Sequence, residues 1–218
     1  YLGSLRHLDL RNNRLRPPAI QALTHTGRPT PWTWLDFQSN ELMDAGIQDL
    51  AGATHLTALT HLNLSGNQVS DIGIHALARS PILRHVKVLG LGLNRIWYAG
   101  THALADSPFV ENLERLNLGR NNIDDRCLQA LGHSSKLSHV RHLNLQFNRI
   151  GPEGVRALAA SPHWTNLESL NLGFNALQDE GIQALAAGFQ ETNLTTLNLN
   201  QTQLTDVGVK ALANSPVF

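Results

Sequence analysis

The chain has 218 residues, 42% of them hydrophobic, and 17 Lys+Arg balance 17 Asp+Glu for a formal charge of zero. That balance argues against a general binder of nucleic-acid phosphates and against a polybasic membrane anchor, and no apolar run approaches the roughly 18 residues of a membrane helix. A single cysteine, Cys127, excludes an internal disulfide framework and favours a cytoplasmic home.

The first unit, Leu5 to Leu15, reads LRHLDLRNNRL. Its L-x-L core has the two-residue period of a strand with one face buried. Pro17 and Pro18 then open a short helix through Ile20 and Leu23. Pro29-Thr30-Pro31 forces an extended connector into WTWLDFQSNEL, where Trp32 and Phe37 stand in for leucines. The next copies are LTHLNLSGNQV, VKVLGLGLNRI, LERLNLGRNNI, VRHLNLQFNRI and LESLNLGFNAL. The eighth is LTTLNLNQTQL, in which Thr202 replaces the asparagine. The asparagine itself falls at Asn13, Asn40, Asn67, Asn94, Asn121, Asn148 and Asn175, every 27 residues without insertion or deletion.

A helical period follows each strand. In the third copy Ile74, Leu77 and Ala78 lie at i, i+3 and i+4, one stripe of a helix. Asp71 stands just ahead as a natural N-cap, and Asp44, Asp125, Asp179 and Asp206 hold the same place. Ser80-Pro81, Ser107-Pro108, Ser161-Pro162 and Ser215-Pro216 end the helices. Glycine recurs inside the helix at Gly46, Gly73, Gly100, Gly154, Gly181 and Gly208, with Ala19 and Cys127 as the exceptions. Glycine there costs about 1 kcal/mol relative to alanine, so its recurrence implies a neighbour too close for a larger side chain.

A fixed period of this length with this motif is a leucine-rich-repeat solenoid. The expected architecture is a right-handed α/β horseshoe of eight 27-residue repeats, with a parallel sheet on the concave face and helices on the convex face. Residues 1–218 then form one leucine-rich-repeat domain, and a start at Tyr1 without a polar capping repeat reads as a piece of a longer chain. The combination L-x-x-L-x-L-x-x-N-x-I and D-x-G-x-x-A-L-A resembles the ribonuclease-inhibitor-like class. The nearest pattern is that of bacterial arrays carrying G-x-x-A-L-A, as at Gly181 to Ala186. That resemblance implies protein recognition on the concave face, no catalysis and no cofactor. Ribonuclease inhibitors alternate two repeat lengths and are rich in cysteine. This chain does neither, so ribonuclease inhibition is not implied. Similar repeats also occur in the Ran GTPase-activating protein and in NOD-like receptors, which makes a regulatory role the rival reading, with Arg95 or Arg149 as an arginine finger.

Catalytic or metal chemistry finds no constellation here. His7, His61 and His142 share an outward strand column but belong to repeats one, three and six, too far apart to hold one ion. Leu89-Gly90-Leu91-Gly92-Leu93 mimics half a phosphate loop but lacks its lysine and obeys the repeat pattern. Cys127 sits in the small-residue column, as a buried thiol does.

The outward columns are more informative. Asp9, Asp36, Asn63, Gly90, Asn117, Asn144, Asn171 and Asn198 form a polar ladder, available to a partner or to pairing within the sheet. The column of Asn12, Ser39, Gly66, Leu93, Arg120, Phe147, Phe174 and Gln201 places apolar groups beside one arginine where solvent is expected. Such residue types dominate interface energies. Trp97 and Tyr98 join them at the rim, where other repeats carry the capping aspartate. Outward strand and turn positions hold nine basic side chains (Arg6, Arg11, Arg14, Lys87, Arg95, Arg115, Arg120, Arg141, Arg149) against five acidic ones (Asp9, Asp36, Glu41, Glu114, Glu168). The candidate partner-binding set is therefore Leu93, Arg95, Trp97, Tyr98, Arg120, Phe147, Arg149 and Phe174, facing a protein with acidic character and neither nucleic acid nor membrane.

Overall fold

A computed structural model describes residues 4–24, 30–189 and 193–216. Pro29, the first proline of the expected connector, lies outside them, while Thr30 and Pro31 have no regular structure. Eight short strands, β1 (His7–Asp9), β2 (Trp34–Asp36), β3 (His61–Asn63), β4 (Val88–Gly90), β5 (Arg115–Asn117), β6 (His142–Asn144), β7 (Ser169–Asn171) and β8 (Thr196–Asn198), form one parallel sheet in chain order. Each is followed by a helix: α1 (Pro17–Thr24), α2 (Met43–Ala51), α3 (Asp71–Ala78), α4 (Tyr98–Ala105), α5 (Asp125–His133), α6 (Pro152–Ala159), α7 (Gln178–Gly188) and α8 (Asp206–Ala213). The chain is an α/β solenoid. Strand partners are 27 residues apart throughout, so the central leucines Leu8, Leu35, Leu62, Leu89, Leu116, Leu143, Leu170 and Leu197 stack in a single file. These leucines and the apolar stripes of the helices bury a continuous core between the sheet and the helix layer, leaving the other sheet face open.

Three ladders of side chains lock each repeat to the next. The asparagine amide is the first. Asn121 Nδ2 donates to the carbonyls of Leu118 and, one repeat back, Leu91, both at 3.0 Å, while its Oδ1 accepts from Ile96 N–H at 3.1 Å. Asn40, Asn67, Asn94, Asn148 and Asn175 also donate both within and behind their own repeat. Every one of these backbone groups lies in a turn that offers it no strand partner, so the amide supplies what the turn lacks.

The second ladder corrects the sequence reading. The aspartates do not cap their own helices; they cap the helix of the following repeat. Asp44 Oδ1 accepts from the N–H groups of Ser70 (2.7 Å) and Gly73 (3.0 Å) at the start of α3. Asp71 accepts from Trp97 N–H at 2.7 Å, Asp125 from Gly151 N–H at 2.6 Å, and Asp179 from Thr205 and Gly208 N–H at 2.9 and 3.0 Å. An N-terminal amide is left unpaired by its own helix, and the carboxylate of the preceding repeat reaches it. This explains four glycines of the column: a Cβ at Gly73, Gly100, Gly154 or Gly208 would lie 2.6–2.7 Å from that carboxylate oxygen. Gly46 and Gly181 instead face Pro17 and Pro152, which stand in the aspartate's place. Two departures from the pattern meet at one interface. Tyr98 replaces the aspartate of repeat four, Cys127 replaces the glycine of repeat five, and Asp124 caps α5 locally by accepting from Cys127 N–H at 3.1 Å.

The third ladder closes the other helix end. Ser80, Ser107 and Ser134 hydroxyls donate to the carbonyls of Ala51, Ala78 and Ala105, at 2.6, 2.6 and 2.5 Å. Ser161 does the same to Gly132, and Ser215 to Ala186. The serines after these helices, four of the five followed by proline, thus serve the C-terminal carbonyls of the helix one repeat earlier.

Truncating Asn121 to alanine strands buried backbone groups of two repeats, and a loss of about 1–3 kcal/mol is expected. Leu118→Ala, an ordinary core cavity, is expected to cost about 2–5 kcal/mol. Urea titration reads both, and an unmoved midpoint for Asn121→Ala would remove the amide from this structural role.

Candidate interaction site

Immediately after each strand, one residue has left-handed backbone. Asn12, Ser39, Gly66, Leu93, Arg120, Phe147, Phe174 and Gln201 all have φ between 52° and 69°. The cause is the sheet itself. In the first seven repeats this residue's N–H donates at 2.7–2.9 Å to a carbonyl of the next repeat, as from Leu93 to Gly119, Phe147 to Gly173 and Phe174 to Asn200. The turn to the structural asparagine follows at once. Glycine and asparagine suit this backbone, whereas any larger side chain is penalised by about 1–2 kcal/mol. Repeats four to seven nevertheless carry Leu, Arg, Phe and Phe there.

These side chains form a ledge along the rim. Phe147 and Phe174 stack with ring centroids 3.9 Å apart and planes within 9°, and the Arg120 guanidinium lies 4.0 Å over the outer face of Phe147. The two rings pack on each other as well as facing solvent: Phe147 is half-buried and Phe174 is 40% exposed. Leu93 is 56% exposed and Trp97 45%. Arg149 reaches back two repeats to stand 4.9 Å over the Trp97 ring, and Arg126 stands 4.6 Å over Tyr98. Arg95 Nη2 donates to Gln68 Oε1 at 3.2 Å. The sequence-derived set is thus brought onto one rim. Arg126 is an addition that sequence reasoning missed, because its partner Tyr98 sits 28 residues earlier, off the 27-residue register.

Charge is divided unevenly across the open face. All five acidic groups of the outward positions are already paired: Asp9 and Asp36 with Arg11, Glu41 with Arg16, Glu114 with Lys87 and Glu168 with Arg141. Arg95, Arg120, Arg126 and Arg149 make no ion pair among the described residues. The polar ladder turns inward to the sheet. Asn63, Asn117, Asn144 and Asn171 each accept from the N–H two residues on, and Asn63 Nδ2 donates to Asp36 and Gln38.

Beside the ledge, the open sheet face forms a hollow of about 500 Å³ bordered by Trp34, His61, Asn63, Arg115, Asn117 and His142. Val88 and Gly90 form its shallow floor. His61 is held below the ordinary histidine range, first by burial and then by the charges of His7, Arg115 and Lys87. Among the described residues no three His, Cys, Asp or Glu side chains converge as metal ligands do. Cys127 is fully buried, and burial pushes its thiol up to about 11. No helix of the described residues is long and apolar enough to cross a membrane.

The stacked repeats thus present an open polar sheet face and an arginine–aromatic rim. Leucine-rich-repeat family models match residues 55–78, 111–132, 136–159, 163–186 and 190–213, and a second leucine-rich-repeat model matches residues 4–23. The chain belongs to the leucine-rich-repeat family. Among solved structures, the crystal structure of a plant ice-binding protein is similar, with a TM-score of 0.59 at 22% identity over 93% of this chain. The chain spans 59% of the length of that protein, and the likeness concerns the fold. No curated protein matches it.

Leu93→Asn relieves the left-handed backbone and removes no buried contact, so stability is expected to hold or rise by about 1 kcal/mol. A drop in melting temperature would make Leu93 a structural residue instead. Cys127 is expected to resist dithionitrobenzoate at pH 8 in the folded protein and to react fully in guanidinium, since only the thiolate attacks. Rapid labelling of the native protein would contradict its burial.

Proposed function

We propose that this chain is a non-enzymatic protein-interaction module of the ribonuclease-inhibitor-like type, binding a protein partner with its concave face and the adjoining rim of repeats four to seven. Leucine-rich repeats are typically non-enzymatic and generally bind proteins. The subclass is supported by the D-x-G-x-x-A-L-A interlock, in which each aspartate needs the next repeat's glycine. A cytoplasmic setting is supported by the lone buried thiol.

One observation carries the binding surface. Four successive repeats put Leu93, Arg120, Phe147 and Phe174 on left-handed backbone that disfavours them, with Leu93, Arg120 and Phe174 exposed and Phe147 half-buried. The ring stack and the Arg120 contact recover part of that cost, whereas the exposed Leu93 recovers none. Uncompensated strain is what a functional constraint leaves behind. Leu93, Phe147 and Phe174 supply apolar area; Arg95, Arg120 and Arg149 supply donors; Trp97 and Tyr98 extend the ledge towards the helix starts. The arginine-finger reading draws no support from the geometry, because Arg95 is tied to Gln68 and Arg149 lies against Trp97.

Affinity capture with the wild-type chain and with Phe147→Ser/Phe174→Ser tests this reading. Loss of two central aromatics is expected to weaken capture by about thirtyfold, the equivalent of about 2 kcal/mol. Equal recovery of the same partner by both proteins would overturn it, provided both melt alike.

A further inference from the structure

The ledge carries its own description of what binds there. Arg120 and Arg149 lie over the rings of Phe147 and Trp97, at 4.0 and 4.9 Å, and neither has a carboxylate partner among the described residues. A guanidinium resting on a ring keeps its in-plane N–H groups for other acceptors, and that flat fork matches a carboxylate with two parallel hydrogen bonds. The rings hold each fork in place before anything binds, so little side-chain entropy is lost on contact.

The two forks do not sit over their own repeats. Arg120 leans forward onto repeat six, whereas Arg149 leans back to repeat four. Their heads are therefore at least two strand spacings apart, about 10 Å along the sheet, with Trp97 four residues further along its repeat than Phe147. An extended chain thus needs at least about three residues to join them. Beside Phe147, over repeats six to eight, lies a shallow hollow walled by Asp125, Phe147, Arg149, Phe174, Gln201 and Gln203.

Resting on the reading of this rim as a partner-binding surface, we propose that its ligand is an extended acidic segment of a protein, with carboxylates at least three residues apart. A single-stranded nucleic acid also offers planar groups and negative charge, but the surroundings disfavour a continuous polyanion. Asp71, Asp124 and Asp125 stand among the arginines, their oxygens accepting from Trp97, Cys127 and Gly151 N–H. Discrete carboxylates can be placed on the forks and away from these acids; an unbroken phosphate chain cannot.

The test is fluorescence anisotropy with a fluorescein-labelled peptide that carries two glutamates spaced three or more residues apart in a glycine–serine background. A second peptide carries glutamine for both glutamates, and a third probe is labelled oligothymidylate. The acidic peptide is expected to bind at least tenfold tighter than the glutamine peptide. Arg120→Lys/Arg149→Lys is expected to erase that difference even though net charge is unchanged, because lysine lacks the flat fork. Both positions are exposed, and an unchanged melting curve confirms that the variant is folded.

Equal binding of the two peptides, full retention of affinity in the lysine variant, or tighter binding of oligothymidylate would each overturn the proposal. The two readings separate cleanly. If the serine double variant loses its captured partner while the acidic peptide does not bind, the rim is an interface for a ligand of different chemistry. If neither experiment responds, both readings fall together.

Discussion

A backbone amide or carbonyl shut away from water must find a partner, and in this molecule the partner belongs to the neighbouring repeat. Asparagine amides reach carbonyls 30 residues back, aspartate carboxylates reach N–H groups 26 and 29 residues ahead, and serine hydroxyls reach carbonyls 29 residues back. No repeat is complete alone. An inserted residue would displace all three ladders at one interface at once, each leaving buried polar groups unpaired at about 1–3 kcal/mol apiece. The invariant 27-residue spacing is therefore a consequence of hydrogen bonding as much as of leucine packing.

The same interlocking frees other positions. The left-handed residue after each strand is pinned through its own backbone N–H, so its conformation does not depend on its side chain. Asparagine, serine, glycine, leucine, arginine, phenylalanine and glutamine all occupy that column. Stability is supplied by the ladders behind it, and the column is left to vary with what the rim must touch. Repeats four to seven use that freedom for apolar and cationic groups. Repeat four goes further, since Tyr98 takes the place of the aspartate that would secure α5, and Asp124 has to do that work from within its own repeat.

How much of this the sequence discloses depends on how far apart the interacting residues stand. The strands, the helices, the register and the structural asparagines are legible because every copy repeats the same residues at the same offset. The aspartates are misread by a local rule: a carboxylate ahead of a helix is taken to cap that helix, whereas its acceptors face the next one, and only the distance between repeats decides. The glycine column is half legible. Its recurrence announces a close neighbour, but the neighbour's identity, an aspartate oxygen at four of the positions, appears only when the repeats are stacked. Phe147 and Phe174 are visible as neighbours in one column, while Arg126 over Tyr98 crosses columns and follows no periodic signal.

Charge shows the same division between counting and geometry. Counting finds a basic excess on the outward positions of a neutral chain, and an excess alone steers encounter more than it sets affinity. Geometry sorts that excess. The acids of the open face are bound to Arg11, Arg16, Lys87 and Arg141, and those exposed pairs contribute little. Three of the arginines left over, Arg120, Arg126 and Arg149, gather where the aromatic rings are, and each uses a ring where a carboxylate would otherwise serve. A guanidinium stacked on carbon keeps its full charge and most of its donors. Part of the cationic excess thus stands on one rim, in groups already oriented, beside the apolar side chains whose backbone is least suited to them.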